Sequence, residues 1–376
     1  MSKTIVWQVN ASMLDINKLE QAAQLLREGG TVAFPTETVY GLGADARSTT
    51  AVERIFMAKG RPADNPLIVH IADLSQLDEL ALPYGPLAKR LMDRFWPGPL
   101  TIVLPVSPGA VSPRVTAGLD TVAVRMPAHP VALALIAAAG CPVAAPSANR
   151  SGRPSPTQAS HVLADLDNRI DGIVDGGDAG VGLESTVVEI DGEIVRILRP
   201  GGITAEALRE VAAYLEYDSV AAPGNDDFSE ADGALLIAES EKESEKDSKA
   251  AASAPRSPGM KYAHYAPQGL MQLVKGQAPA VSAYIQAEVH AARARGELTG
   301  VLAFAEQAAT YDADHVLVVG SLAQLETAAH GLYAALRAFD DLGVQRIWAE
   351  ACPEEGIGHA LMNRLVKAAG HRIIKA

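Results

Sequence analysis

Residues 31–70 read TVAFPTETVYGLGADARSTTAVERIFMAKGRPADNPLIVH, and the predicted fold of the first half of the chain is organised around this stretch. Residues 31–34 and 67–71 are apolar and partly β-branched, which predicts two buried strands, and residues 49–59 have the spacing of an amphipathic helix. The predicted order is strand, polar turn, helix, basic loop, strand. The turn and the loop can then share one edge of the sheet, where backbone N–H groups and cations bind anions. The sequence therefore predicts a phosphorylated ligand.

The composition is that of a globular, soluble protein with more than one core. The chain has 376 residues, of which 48% are apolar and 20% are charged, and this length predicts two domains. The two cysteines, Cys141 and Cys352, lie far apart, which favours neither a disulfide framework nor a paired metal site and suits a reducing cytoplasm. The N-terminus has no apolar core of signal-peptide length, and no run approaches the roughly 18 apolar residues of a membrane-spanning helix. We therefore expect neither secretion nor membrane insertion.

The net charge of −13 is unevenly distributed along the chain. Residues 1–217 hold 18 Lys and Arg against 24 Asp and Glu (−6), residues 218–260 hold 4 against 10 (−6), and residues 261–376 hold 10 against 11 (−1). Such a chain has no overall electrostatic attraction to nucleic acid, although a local basic pocket is compatible with it. We therefore expect no tight direct binding of RNA or DNA.

The remaining patterns predict three parts of the chain. In residues 1–217 we expect helices at 15–28, 86–95, 130–139 and 204–215, strands at 100–106, 121–126 and 141–145, a strand and turn at 171–177, and a hairpin over 185–198 that turns at Asp191-Gly192. Residues 218–268 are predicted to be a flexible linker, because residues 218–256 are acidic and rich in Ser and Ala. In residues 269–376, strands near 271–274, 299–304, 315–319, 344–349 and 372–375 alternate with helices near 279–295, 321–340 and 357–369, which predicts a parallel sheet.

Two polar loops are candidate binding sites, but each has a purely structural alternative. Lys59 and Arg61 follow a helix whose last carbonyls attract cations in any case. In the second loop, Pro146 to Thr157, the run Ser-Ala-Asn before Ser-Gly is by itself most often a plain turn. Neither loop has the GxxxxGK[ST] pattern of a P-loop or a GxGxxG fingerprint, so the familiar nucleotide-binding folds are excluded as direct matches.

Covalent and metal catalysis have little support in the sequence. No histidine stands at metal-ligand spacing from another, and His70 lies within an apolar strand, where a core histidine is the default. Ser147 lacks a GxSxG elbow, and neither cysteine has a basic neighbour that could lower its pKa. Catalysis is therefore expected to depend on positioning and charge neutralisation.

Taken together, five motifs resemble those of a known family. They are PTETVYGLG (35–43), KGRP (59–62) with NPL (65–67), WPGPLT (96–101), PSAN (146–149) with SG (151–152), and EST (184–186) with LRPG (198–201). In this order they resemble a YrdC-like domain. With the segment SPGMKYAHYAP (257–267), the chain resembles the long form of the L-threonylcarbamoyladenylate synthase family, in which a linker joins that domain to a smaller C-terminal α/β domain.

The resemblance implies a fold and a reaction. The fold is α/β, with a YrdC-like twisted mixed-sheet domain (1–217) followed by a smaller Rossmann-like parallel α/β domain (269–376). The reaction joins L-threonine, bicarbonate or CO2, and ATP into threonylcarbamoyl-AMP and diphosphate, the precursor of the threonylcarbamoyl group on adenosine 37 of tRNAs that read codons starting with A. Mg²⁺ is expected with ATP, with no protein-bound metal or organic cofactor. A tRNA threonylcarbamoyl transferase complex is the expected partner that receives the intermediate in the cytoplasm.

The resemblance also implies roles for individual residues. Lys59 and Arg61 are the expected catalytic cations on the phosphates. The expected ATP-binding residues are Lys59, Arg61, Asn65, Thr121, Asn149, Thr157, Arg199 and Tyr265. The expected threonine-binding residues are Thr36, His70, Arg125, Ser147 and Ser185, with Arg125 on the α-carboxylate.

The segment 257–267 is expected to close over the pocket, although a simple domain-start turn is the alternative. As a lid, His264 or Tyr265 would keep water from an unstable carbamate. On this interpretation the first domain needs that segment rather than the bulk of the second domain.

Two other functions stay open: a YrdC-like paralogue with another carbamoyl or adenylyl substrate, and a non-catalytic RNA-binding module. The latter is disfavoured by the 5% aromatic content and the charge of the first domain.

Overall fold

The computed structural model describes residues 3–218, 221, 255 and 264–376. Most of the predicted linker therefore lies outside the described residues, as does the 257–263 part of the predicted lid. The described residues form two sheets, one from the first part of the chain and one from the last. The first sheet ends in sequence at Tyr217, and the second begins at Leu270.

The first sheet has eleven strands in the described residues, in the spatial order β1-β8-β2-β3-β7-β4-β6-β5-β9-β10-β11. The strands are β1 Ile5–Gln8, β2 Val32–Phe34, β3 Gly41–Asp45, β4 Ile68–His70, β5 Leu100–Pro105, β6 Thr121–Arg125, β7 Val143–Ala144, β8 Gly172–Asp175, β9 Thr186–Asp191, β10 Ile194–Arg199 and β11 Tyr214–Tyr217. The sheet contains parallel pairs, such as β4 with β6, and antiparallel pairs, such as β5 with β6. The expected mixed sheet is thus confirmed.

Helices cover both faces of this sheet. They are α1 Ile16–Arg27, α2 Thr49–Lys59, α3 Leu74–Leu80, α4 Pro86–Phe95, α5 Pro113–Thr116, α6 Pro130–Ala139, α7 Ala159–Leu166 and α8 Ala205–Arg209. Side chains of β2 alternate between the two faces: Val32 and Phe34 pack with α1 and α6, whereas Ala33 packs with α2 and α4. Because both faces are covered, the strands are apolar almost throughout.

Helix α2 shows how the sequence fixes the ends of an element that positions the site. The Ser48 side chain caps its start by accepting a hydrogen bond from the N–H of Ala51. Gly60, in the left-handed conformation with φ 63°, ends it. Lys59 is therefore the last helical residue, and Arg61 begins the loop.

Three expectations about the first domain need correction. Residues 204–215 do not form one helix: α8 ends at Arg209, and Tyr214–Tyr217 pair with β10 as the edge strand β11, since pairing with an available strand outweighs local helix preference. Gly41 and Gly43, expected in a turn, lie in β3, where a Cβ on Gly43 would be 2.8 Å from the Phe34 and Val143 side chains. The strand expected at 141–145 is shortened to Val143–Ala144, directly after Pro142, which cannot donate to a ladder.

The second domain has the predicted parallel sheet. Its strands are β12 Leu270–Lys275, β13 Thr299–Phe304, β14 His315–Gly320, β15 Arg346–Glu350 and β16 Ile373–Lys375, in the order β14-β13-β15-β12-β16, with helices α9 Ala278–Ala294, α10 Leu325–Asp341 and α11 Ile357–Ala368. Every strand pair in it is parallel. Among the helices of the described ranges, none is both long and apolar enough to cross a membrane.

Candidate active site

The candidate active site is a cleft of about 660 Å³, counted to its open mouth. The walls come from the turn after β2, from β4, from the end of β6, from the loop after β7, and from the residues that flank β9 and β10. The two polar loops singled out in the sequence therefore do meet in one place.

Nine of the residues assigned from the sequence line this cleft. They are Thr36, Arg61, His70, Arg125, Ser147, Asn149, Ser185, Arg199 and Tyr265. Four others, Lys59, Asn65, Thr121 and Thr157, are absent from its walls as the structure describes them. The roles of all thirteen residues remain predictions. Their placement shows that the nine lining residues can contact a ligand in the cleft directly, whereas the other four do not line it as the structure describes it.

The Pro-Thr-Glu-Thr turn is held by its own threonines. The Thr36 hydroxyl donates to the carbonyl of Val39 at 2.7 Å and accepts from the N–H groups of Thr38 and Val39. Such local side-chain bonds favour a turn over a continued strand. Thr36 and Thr38 thereby reach the cleft from a fixed backbone, and their hydroxyls lie 2.8 Å apart.

Arg125, at the end of β6, is buried and fixed on three sides. Its Nη1 donates to Thr38 Oγ1 at 2.8 Å, its Nε donates to the carbonyl of Gly98 at 3.2 Å, and its Nη2 lies 2.5 Å from Glu37 Oε1. Neighbouring His70 stays neutral because burial, with Arg125 adding to it, lowers its pKa to about 3. The guanidinium is thus a preorganised cation for a carboxylate ligand.

Ser185 and Arg199 form a second fixed unit across the cleft. Arg199 donates from Nη2 to the carbonyl of Ser185 at 3.0 Å and to its Oγ at 3.2 Å. The Ser185 and Thr101 hydroxyls are 2.8 Å apart. A Cβ on Gly201 would lie 2.3 Å from the carbonyl oxygen of Glu184, so glycine is needed for the two motifs to approach. This close approach explains why the EST and LRPG motifs both contribute to one site.

Lys59 supports the Ser147–Asn149 loop from within the protein. Its Nζ donates to the carbonyl of Ser147 at 2.6 Å and to that of Asn149 at 2.5 Å. Burial, with nearby Arg61 adding to it, lowers the pKa of Lys59 well below its usual range. The helix predicted at residues 49–59 thus matches α2, and Lys59, its last residue, turns its amine inward instead of presenting it in the basic loop beside Arg61.

Arg61 and Asn65 both lie in the basic loop between α2 and β4. Arg61 reaches the cleft and also donates to the carbonyls of Asn65 and Pro66 at 3.3 and 3.0 Å. The amide side chain of Asn65 is buried, and neither its oxygen nor its nitrogen has a hydrogen-bond partner among the described residues. A buried amide of this kind is costly unless a ligand completes it.

The described end of the linker closes one side of the cleft. The Ala266 N–H donates to the carbonyl of Gly152 at 3.0 Å, which ties this segment to the Ser-Gly loop. Tyr265 is 5% exposed, has φ 67°, and lies with its ring 5.4 Å from the ring of Tyr333. A tyrosine rarely adopts this backbone conformation, so strong side-chain contacts must hold it.

Glu184 is the carboxylate of the cleft that the site assignments missed. Burial alone would raise its pKa, but Arg364 and Arg199 hold the pKa at about 2, and the group is ionised at neutral pH. Its carboxylate also accepts from Ser155 Oγ at 2.6 Å. Glu184 belongs to the quoted EST motif, so its position carried a signal, whereas nothing in the sequence pointed to its partners in the second domain.

The remaining groups favour a non-covalent site whose charged lining consists mainly of arginines. Arg61, Arg125, Arg153 and Arg199 all line the cleft. The thiols of Cys141 and Cys352 are buried, which raises the pKa of each to about 12. Within the described ranges, no group of three or more His, Cys, Asp or Glu residues could hold a metal ion. The arrangement can therefore bind and orient an anionic ligand.

Comparison with known proteins identifies the family. A family model described as "Telomere recombination" matches residues 24–201, and one described as "Threonylcarbamoyl-AMP synthase, C-terminal domain" matches residues 203–370. The threonylcarbamoyl-AMP synthase of Bacillus subtilis is 51% identical over 358 residues, which cover 95% of this chain and 94% of that protein. The enzyme of the same name from Pyrococcus abyssi is 45% identical over 359 residues, which cover 95% of this chain and 96% of that protein.

A solved structure agrees over the whole length. The crystal structure of Pyrococcus abyssi Sua5 complexed with L-threonine has a TM-score of 0.85 and 43% sequence identity, and the match covers 99% of this chain and 100% of that one. Both domains and their order are thus shared. The chain belongs to the threonylcarbamoyl-AMP synthase family, in the form that carries both domains.

Proposed function

We propose that the cleft joins L-threonine, bicarbonate or CO2, and ATP into threonylcarbamoyl-AMP and diphosphate. The observation that carries this proposal is the meeting of four arginines in one cleft of a protein whose net charge is −13. Substrates with several negative charges gain most from such a site. The related Pyrococcus abyssi structure was solved with L-threonine, which supports threonine as one of the substrates here.

Threonine fits the side of the cleft around Arg125. Its α-carboxylate would pair with the Arg125 guanidinium, and the hydroxyls of Thr36, Ser147 and Ser185 offer partners for its other polar groups. His70, neutral at pH 7, closes this side as an uncharged wall. The pocket can therefore recognise the carboxylate, the amine and the hydroxyl separately.

ATP fits the side around Arg61 and Arg199. These two arginines would neutralise phosphate charge, and Asn149 and Tyr265 would contact the nucleotide from the loop and from the linker. Asn65, Thr121 and Thr157 remain predicted ATP contacts, and the unpaired amide of Asn65 is a group that a ligand could complete. Lys59 would act mainly through the loop that its amine supports.

The chemistry needs orientation more than a protein nucleophile. The threonine amine attacks CO2, a N–C bond forms, and the nitrogen loses a proton to give a carbamate. A carbamate oxygen then attacks the α-phosphorus of ATP, and the bond to the diphosphate leaving group breaks. Holding the two reactants in line and stabilising the charge on the phosphates supplies the catalysis.

Mg²⁺ is proposed to enter with ATP as part of the substrate. Glu184, the acidic side chain on the described walls, is already bonded to Arg364, Tyr333 and Ser155. The phosphate oxygens therefore offer the metal better ligands than the cleft does. We further propose a cytoplasmic reaction, consistent with the two free cysteines, and a downstream tRNA threonylcarbamoyl transferase complex that takes the product.

Incubation with ATP, labelled bicarbonate and one amino acid at a time tests the proposal. Product and diphosphate should form with threonine. Serine should be used better than valine, because a pocket that hydrogen-bonds a hydroxyl leaves its own polar groups unpaired when that hydroxyl is missing. We expect valine to be disfavoured by about two orders of magnitude or more in kcat/KM.

Two outcomes would contradict this assignment. Product formation that does not depend on threonine would favour the paralogue with another carbamoyl or adenylyl substrate. Equal diphosphate release with valine and threonine would show that the pocket does not recognise the hydroxyl of threonine.

A further inference from the structure

One arginine of the second domain reaches into the walls of the active-site cleft. Arg364 lies on α11 and is fully buried. Its Nε donates to Glu184 Oε2 at 2.8 Å, and its Nη2 donates to the carbonyl of Pro200 at 3.0 Å. Its guanidinium carbon also lies 5.4 Å from the centre of the Tyr265 ring. A single side chain thus contacts the EST motif, the LRPG motif and the linker.

Tyr333, on α10, binds the same carboxylate. Its hydroxyl is 2.9 Å from Glu184 Oε2 and 3.1 Å from Glu184 Oε1, and its ring is 5.4 Å from that of Tyr265. Ser155 completes the carboxylate from the loop after β7. Two helices of the second domain and one loop of the first therefore converge on Glu184. A carboxylate with so many fixed donors has little freedom to move.

The residues next to these contacts are those that face the substrates. Ser185 follows Glu184 directly, and Arg199 precedes Pro200. Arg199 and Ser185 are bonded to each other, so Arg364 holds both ends of one rigid unit. A shift of Glu184 or Pro200 would move the Ser185 hydroxyl and the Arg199 guanidinium within the cleft. Displacements of about 1 Å are enough to slow an oriented reaction substantially.

We propose that Arg364, assisted by Tyr333, is a positioning residue of the synthase that sets Ser185 and Arg199 in the geometry for threonine and ATP. The inference rests on the function proposed above. It assigns to the second domain a direct part in the cleft, which the sequence did not indicate. The alternative is an ion pair that only holds the domains together.

A positioning role and a purely structural ion pair predict different kinetic constants for variants that still fold. Arg364→Lys keeps the charge but cannot serve Glu184 and Pro200 together, because an ammonium lacks the planar fork of a guanidinium. Tyr333→Phe keeps the ring beside Tyr265 and removes the hydroxyl bonded to Glu184. His330→Ala is the matched control. His330 lies on α10, as Tyr333 does, and it also contacts the first domain, at the carbonyl of Gly180, but it lies outside the cleft.

The full-length variants should be compared with the wild type in thermal midpoint, kcat and KM for threonine and ATP, well below each melting temperature. We expect Arg364→Lys to lower kcat/KM for threonine by about tenfold or more. We expect Tyr333→Phe to lower it by roughly threefold to tenfold, on the scale of one ordinary hydrogen bond, because Ser155 and Arg364 still hold Glu184. The KM for threonine should rise in both. His330→Ala should leave both kinetic constants unchanged.

A lower thermal midpoint with wild-type kcat and KM in both variants would overturn the proposal and leave a purely structural ion pair. If Arg364→Lys does not fold, Tyr333→Phe alone decides by the same criterion. Absence of threonylcarbamoyl-AMP with the wild type would instead refute the proposed function, so the two failures are distinguishable.

Discussion

At the residue scale, neighbouring cations in one motif have different surroundings. Lys59 and Arg61 stand two positions apart, but Lys59 is buried with its amine on two loop carbonyls, whereas Arg61 reaches the cleft. The motif alone suggests the same role for both. Their environments place Arg61 where the proposed phosphate contact is open to it, and they place the Lys59 amine on the loop that carries Asn149.

Arg61→Ala and Lys59→Ala should therefore fail in different ways. Arg61→Ala should lower kcat by about two orders of magnitude or more, on the scale of one lost preorganised charge, with little change in the thermal midpoint. Lys59→Ala should lower both activity and stability, since two buried carbonyls lose their donor at a cost of roughly 1–3 kcal/mol each. Steady-state kinetics and thermal melts on the purified variants measure the two effects.

Two further variants control this comparison. Arg61→Lys should also be poor, because a point charge does not replace a bidentate fork. Arg47→Ala removes an arginine whose ion pair with Glu79 is exposed, and it should change neither property much. Near-normal rates in Arg61→Ala would return this arginine to a role at the end of the helix.

At the element scale, the sequence predicts strands and helices best where periodicity is long and the end signals are clear. The helix predicted at 86–95 and the helix predicted at 130–139 match α4 and α6, since both start at proline and end at a recognisable stop. The strands β3 and β11 were missed because pairing with a neighbouring strand, and not local preference, makes them strands. The motifs likewise identified thirteen candidate site residues, of which nine line the cleft. They could not show that Lys59 is buried, because its burial depends on tertiary packing.

Tyr265 offers a test of the linker as a closing element. Tyr265→Ala should leave a folded protein that forms less product per ATP consumed, with kcat/KM for threonine lowered by roughly tenfold or more, because water reaches the carbamate. Tyr265→Phe keeps the ring against Tyr333 and Arg364 and should retain most of the activity if closure is its main role. The measurement is the ratio of threonylcarbamoyl-AMP to diphosphate.

Tyr214→Ala is the control for this test, since Tyr214 is 64% exposed on the edge strand β11. Coupled product formation in Tyr265→Ala at the wild-type ratio would argue that this end of the linker is a passive connector. A large loss in Tyr265→Phe would indicate instead that the hydroxyl binds the nucleotide.

At the scale of the whole molecule, the second domain packs closely enough on the first to affect the cleft. Arg337 of α10 is buried and donates to Asp165 Oδ2 at 2.9 Å, while Arg364 and Tyr333 bind Glu184. These contacts hold α7, which carries Asp165, and the segment before β9, which carries Glu184, from one side. They argue against the expectation that the first domain needs only the linker segment. That expectation could not be corrected from the sequence, because the arginines of α10 and α11 resemble ordinary helix-surface charges there.

Gly182 packs directly against the backbone of α10. Its φ is 79°, and a Cβ there would stand 2.5 Å from the Cα of His330 and 2.6 Å from the carbonyl oxygen of Ala329, both on α10. These are backbone atoms and cannot move aside without moving the helix. Because Gly182 is only two residues from Glu184, a displacement of α10 would also disturb the bond from Tyr333.

Gly182→Ala should therefore weaken domain packing and catalysis together. Gly118→Ala is a closely matched control: its φ is 80°, so it imposes the same left-handed strain, but no atom lies within 4 Å of the added Cβ. We expect Gly182→Ala to lose about 1–3 kcal/mol more than the control, the range for forcing extra volume into a packed site. Its kcat/KM for threonine should fall with it, and small-angle scattering should show a larger radius of gyration. Equal melting temperatures and equal kinetics in the two variants would show that the domains adjust to the added methyl group without cost, and that the second domain does not transmit its position to the cleft.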